Sequence, residues 1–207
     1  MGQLYTIGHS TYPQFHFLEL LRKYDIQYVL DVRSTPFSKY ASQYNSDCLR
    51  EYLGPNGIQY AAMGKYFGAR WKDRSMYHAN GYVDFEAVRN SDIFIKGKMN
   101  VLKGLENFNI ALMCTEKAPI DCHRAIMVAR GFELDGVDVK HILHDFSCIT
   151  QNDLNLQLLD KYFPDRNQFS LFEEENRSDS DYLKKAYQKR NSEIGYRMDS
   201  NFEGGEA

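Results

Sequence analysis

The sequence lacks any run approaching about 20 uninterrupted apolar residues, so no membrane-spanning helix is expected. It lacks a strong charge of either sign: 28 acidic against 25 basic residues leave −3. A basic nucleic-acid coat and a highly charged disordered chain are both excluded by that balance. There is no internal repeat and no low-complexity tract. The opening MGQLYTIGHS has no basic segment followed by an apolar one, so a secretory signal is not expected and the four cysteines read as reduced thiols. No Cys-x-x-Cys pair occurs, which removes the usual zinc-knuckle signature. What remains is 207 residues, 43% hydrophobic and rich in Tyr and Phe, enough for one generous globular domain with an extension.

Charge divides the chain. Residues 164–207 carry ten acidic and seven basic side chains, whereas residues 1–163 hold 18 of each. The later stretch has only Leu171, Leu183 and Ile194 as branched aliphatics. It reads as a polar, mobile C-terminal extension with a short helix near Tyr182 to Arg190, and residues 173–207 are expected to be dispensable for the fold.

The body, residues 1–163, alternates between two periodicities. Strands are expected at Leu4 to Ile7, Gln27 to Leu30, Ile58 to Ala61, Asn109 to Met113 and Val137 to Leu143. Helices are expected at Pro13 to Tyr24 with Thr11 as cap, Asp47 to Leu53, Phe85 to Leu105 with a break near Gly97, Asp121 to Leu134, and Asp153 to Tyr162. This alternation with short links predicts an α/β fold, a mostly parallel sheet with helices on both faces. Ligands of such sheets bind beyond the carboxyl ends of the strands. Those ends carry His9 and Ser10, then Asp31, Arg33 and Ser34, then Cys114, Thr115 and Glu116, and finally His144 and Asp145. Cys122-His123-Arg124 follows at an expected helix start.

TIGHS, VLDVRSTPFS, GIQYAAMGKYFGAR and ALMCTEKAPIDCHR followed by VKHIL stand in this order. Together they resemble the domain of unknown function family 488, with its IGHS, DVR, LMC-x-E and CHR motifs. One departure is Gly68-Ala69-Arg70, where the family often pairs two glycines before the basic residue. The resemblance implies an α/β fold and a cytoplasmic, prokaryotic type of protein; it implies no settled activity.

The residues themselves suggest several chemistries. A thiol at a helix start beside Arg124 has a lowered pKa, which makes Cys122 a candidate nucleophile, with Glu116 or His123 moving protons. The plain alternative is a cysteine that packs the helix on the sheet. Cys114, Cys122 and His123, completed by His9 or His144, suit zinc in donor type, but not in spacing, and no metal ligand is assigned. A Cys114–Cys122 disulfide is a third option. Asp31 and Arg33 are either an internal ion pair or an anion-binding arginine held by a carboxylate. His9 is either hydrogen-bonded structure or a base. A strand ending in DVR also resembles rhodanese-type sulfur-transfer domains, although the loop Thr115 to Asp121 does not resemble their anion-binding loop. Cys48 and Cys148 read as packing or surface residues.

Arg70, Trp71, Lys72 and Arg74, with Tyr60, Tyr66, Phe67 and Tyr77 nearby, form a basic and aromatic cluster of the kind that binds phosphate and stacks on bases; an ordinary exposed loop is the alternative. Gln168-Phe169-Ser170-Leu171-Phe172 matches the Q-x-x-L-F peptide by which bacterial replication and repair proteins dock on the sliding clamp. Gln168, Leu171 and Phe172 are its anchors. The leading expectation is therefore an enzyme acting on nucleic acid or a nucleotide. Catalytic candidates are Cys122, Glu116, Asp31 and His9; Ser10, Arg33, Arg70, Cys114, His123 and Arg124 are candidates for phosphate or substrate binding. A non-catalytic binding module in DNA repair and a thiol enzyme handling sulfur on a small molecule are the alternatives.

Overall fold

The computed structural model describes residues 2–166 and 178–198. The docking peptide expected at Gln168, Leu171 and Phe172 lies outside the described residues. Short apolar segments form β1 (Leu4–Gly8), β2 (Tyr28–Asp31), β3 (Gln59–Ala62), β4 (Ile110–Cys114), β5 (Val139–Ile142) and β6 (Cys148–Thr150). They make one sheet in the order β3-β2-β4-β1-β5-β6, parallel except where β6 turns back along β5. The sequence did not disclose β6, because its three residues are only half-buried and show no alternation long enough to read. No helix among the described residues is long and apolar enough to cross a membrane.

Both sheet faces are covered, as the alternation of β4 illustrates. Ala111 and Met113 point to a core shared with Phe17, Leu20 and Leu21 of α1 (Gln14–Lys23) and Leu49 and Leu53 of α2 (Ser46–Leu53). Ile110, Leu112 and Cys114 face the other core. There they meet α4 (Phe85–Arg89) and α5 (Asp92–Leu105), which follow the single turn α3 (Gly64–Phe67). The expected cap at Thr11 is not used; Pro13 precedes the first turn of α1, with no side-chain cap. The break expected at Gly97 falls instead at Ser91, whose side chain accepts the Phe94 N–H and caps α5. Gly97 lies within that helix, at a close approach where a Cβ would come within 2.6 Å of the Tyr66 side chain.

The helix after β4 is irregular. A 3-10 turn at Pro119–Asp121 leads to an extended Cys122, then a π-helical stretch at Arg124–Ala129 and α6 (Arg130–Glu133). Two further helices, α7 (Gln151–Tyr162) and α8 (Asp179–Ile194), pack on each other, each opened by a capping box.

The packing of α8 corrects the reading of the C-terminal stretch as a spare, mobile extension, at least for residues 178–198. Ala186, Tyr187, Arg190 and Asn191 are buried. Asn191 donates to the Val83 carbonyl and accepts the Phe85 N–H, while Tyr187 joins Gln151 and Asn155 of α7. A polar helix hides its docking from a composition argument when polar side chains make the contacts.

Candidate functional site

The strand order places the site. The chain leaves β2 toward β3 on one side and leaves β4 toward β5 on the other, so a crevice opens between the carboxyl ends of β2 and β4. The cleft there measures about 300 Å³ and is lined by Arg33, Arg70, Cys114, Glu116, His123 and Tyr196 among others. A larger cavity beside Arg89 and Arg130 shares none of its lining residues with this cleft.

Four groups converge beneath the cleft; Cys114, Glu116 and His123 line it, whereas Cys122, the expected nucleophile, is buried behind them and does not. Sγ of Cys122 and Sγ of Cys114 lie within hydrogen-bond distance of Oε2 of Glu116, at 2.7 and 3.1 Å. Nδ1 of His123 lies 3.7 Å from Sγ of Cys114 and 4.0 Å from Sγ of Cys122. One donor atom from each of the four residues falls within 4.8 Å of all the others, so the group could hold a metal ion. Both cysteines are buried and unbridged, which disposes of the disulfide. Glu116, on the exposed loop, supplies the fourth group where His9 or His144 was expected; His144 instead stacks on Tyr12.

The surroundings hold each member in place. Nε2 of His123 lies 3.1 Å from the Val32 carbonyl, which can only accept, so Nε2 carries a hydrogen and Nδ1 turns toward the sulfurs. Cys122 is extended and caps the following turn: its carbonyl takes the Ala125 and Ile126 N–H groups, and its sulfur accepts the Arg124 N–H. Burial pushes its thiol up, but the hydrogen bond from Cys114, the Arg124 guanidinium and His123 carry it well below the usual thiol range. Burial raises Cys114 well above that range and also raises Glu116, whose carboxyl sits beside Cys122.

Arg124 was expected to meet phosphate. It is wholly buried instead, donating to the carbonyls of Glu116 at 2.6 Å and Lys117 at 3.2 Å, and so it shapes the loop that carries Glu116. Gly8 belongs to the same arrangement: a Cβ there would stand 2.0 Å from the Glu116 carbonyl oxygen.

Asp31 and His9 do not reach the cleft as free acid and base. Asp31 is buried and accepts from the Arg33 guanidinium, the Arg33 N–H and the Tyr60 hydroxyl. His9 donates from Nδ1 to the Ser10 carbonyl and presents Nε2 to Arg33 at 3.1 Å, with its ring stacked on Tyr44. Burial, aided by Arg33, lowers its pKa to about 4, so the imidazole is neutral and complements the cation. Both are positioning residues for Arg33, which also donates to the Tyr44 carbonyl and retains a single Nη1 hydrogen for the cleft. Ser10 is not among the cleft's lining residues; its N–H ties the end of β1 to the Thr115 carbonyl.

Arg70 is the exposed cation of the cleft. Its guanidinium lies over the Tyr196 ring, 4.9 Å from the centroid, and forms no ion pair among the described residues. The aromatics near it do not form a stacking surface: Phe67 is core, Tyr66 packs on Gly97, Tyr60 holds Asp31, and the Tyr77 hydroxyl bonds to the Trp71 backbone. Tyr196 and Ile194 of the wall went unread in the sequence; a lone aromatic just past the end of a polar helical pattern was their one signal.

Residues 15–130 match the family model described as Domain of unknown function DUF488. The chain belongs to that family. The span matched in this DUF488 member includes Asp31 to Arg33, Cys114 to Glu116 and Cys122 to Arg124, whereas Thr6 to Ser10 precede it. No curated protein and no solved structure matches the chain.

Proposed function

We propose that this DUF488 protein is an enzyme acting on a phosphate-bearing substrate, a nucleotide or nucleic acid, in the cleft between the ends of β2 and β4. One observation carries the reading: Cys114, Glu116 and His123 share a small cleft with Arg33 and with the exposed Arg70, which has no ion pair among the described residues. Reactive groups thus lie beside a cation that forms no ion pair among the described residues, which suits a substrate whose anionic end is held while a nearby atom reacts. Arg70 binds the anion, Arg33 contributes its remaining hydrogen, and Glu116 at the mouth moves the proton. A thiol enzyme handling sulfur on a small molecule would use the same cluster without needing nucleic acid, and a non-catalytic binding module would need Arg70 but not Cys122 or Glu116. The Gln168, Leu171 and Phe172 peptide is retained as a proposed contact for a bacterial sliding clamp.

Fluorescent nucleotides and short single-stranded oligonucleotides, titrated into wild type, Arg70→Ala and Glu116→Gln, test the reading. Arg70→Ala weakens binding by about tenfold, as does added salt. Glu116→Gln preserves binding and abolishes turnover. Equal binding by Arg70→Ala and wild type at low salt would remove the phosphate, and binding without turnover by wild type would leave the module.

A further inference from the structure

We infer that Cys114, Cys122, His123 and Glu116 form a zinc site. The inference deepens the reading of the same cluster, yet it stands whether or not the cleft takes a phosphate.

Zinc–sulfur bonds of about 2.3 Å and zinc–nitrogen or zinc–oxygen bonds of about 2.0–2.1 Å set the donors of a tetrahedral site roughly 3.3–3.8 Å apart. Here the sulfur–nitrogen separations are 3.7 and 4.0 Å, and the sulfur–oxygen separations are 2.7 and 3.1 Å. Two thiolates, an imidazole and a carboxylate are a donor set that zinc accepts and that magnesium or calcium does not favour.

One feature outside the four donors points the same way. The Val32 carbonyl holds the outer nitrogen of His123, as second-shell partners of metal-bound histidines do, and leaves Nδ1 as the inward donor. Zinc exchanges for the two thiol protons, which pass to the buffer, so the cluster keeps the single negative charge that the Glu116 carboxylate gives it. Glu116 is the exposed member and faces the cleft, so it is the ligand most open to exchange with a substrate oxygen.

Full-length protein, purified under reducing conditions and stripped with a chelator, is titrated with Co²⁺ and then with Zn²⁺. Wild type binds one equivalent of Co²⁺ with the intense thiolate-to-metal absorption of a tetrahedral site, and Zn²⁺ displaces it. Cys122→Ser and Cys114→Ser lose that absorption, whereas Cys48→Ser and Cys148→Ser keep it. Should the site variants fail to fold, wild type decides through the Co²⁺ absorption itself, whose sulfur-to-metal intensity requires thiolate ligands. Absence of the absorption in folded wild type, or its loss in the Cys48 or Cys148 variants, would overturn the inference. Metal binding by Arg70→Ala at wild-type strength, beside lost nucleotide binding, separates this site from the phosphate reading.

Discussion

Arg190 of α8 donates its Nε–H to the Ile120 carbonyl at 2.9 Å, two residues before Cys122, and pairs with Asp121 as well. A helix from the polar C-terminal stretch therefore braces the turn that delivers the buried thiol, while Tyr196 just beyond it underlies Arg70.

Removal of that brace is expected to be felt in the cluster. Arg190→Ala costs about 1.5–3 kcal/mol, the range for hydrogen bonds to charged groups, and makes Cys122 more accessible to alkylation. Deletion of residues 178–207 exposes Val83, Phe85 and the α7 face and costs more. Denaturant melts with peptide-level alkylation check both. A deletion variant as stable as the full chain, with Cys122 equally protected, would show that α8 is only draped on the body.

The buried pair of Asp31 and Arg33 gives a sharper energetic test. Asp31→Asn leaves a buried guanidinium without its carboxylate, and breaking such a pair costs roughly 3–5 kcal/mol. The double variant Asp31→Asn with Arg33→Met removes the stranded charge and recovers part of the loss. A double variant that is less stable than the sum of the two singles would contradict the stranded-charge account.

Two histidines set the acid limb of the stability profile. Burial, with Arg33 for His9 and Arg124 for His141 adding to it, lowers their pKa values to about 4 and about 3. Unfolded histidine protonates near pH 6.5, so below that value the unfolded chain binds more protons. Their contribution is complete above about pH 6.5 and is lost as the pH falls toward 4, by roughly 2–3 kcal/mol for His9. Urea melts at pH 7 and pH 4.5 measure it, and His9→Asn should flatten the slope. A midpoint that does not fall between these two pH values would mean that neither imidazole is held neutral by the fold.

For the proposed clamp peptide, Phe172→Ala should weaken binding to a bacterial sliding clamp by about tenfold or more, as loss of an aromatic anchor does, and should leave nucleotide binding untouched. Surface plasmon resonance on immobilised clamp provides the comparison. No clamp binding by wild type ends the proposal.

The sequence by itself determined the layered fold and the gathering of polar groups at one edge. Alternating apolar segments such as those around Ile110 to Cys114 specify strands buried on both faces, and parallel strands bring all their carboxyl ends to one side. It also supplied the cysteines, Glu116 and Arg70. What it could not decide was the fate of each charge. Arg124 and Arg70 are the same residue type, each at the end of its own motif, yet one is sealed under the Glu116 loop and the other stands over Tyr196. His9 and His123 both follow strands or turns, yet one spends both nitrogens on Ser10 and Arg33 and the other turns a nitrogen to two thiols. Periodicity is a local property of the chain. The partner of a strand-end side chain comes from a strand or helix tens of residues away, and only the order that sets β2 beside β4 and lays α8 against the Cys122 turn fixes it.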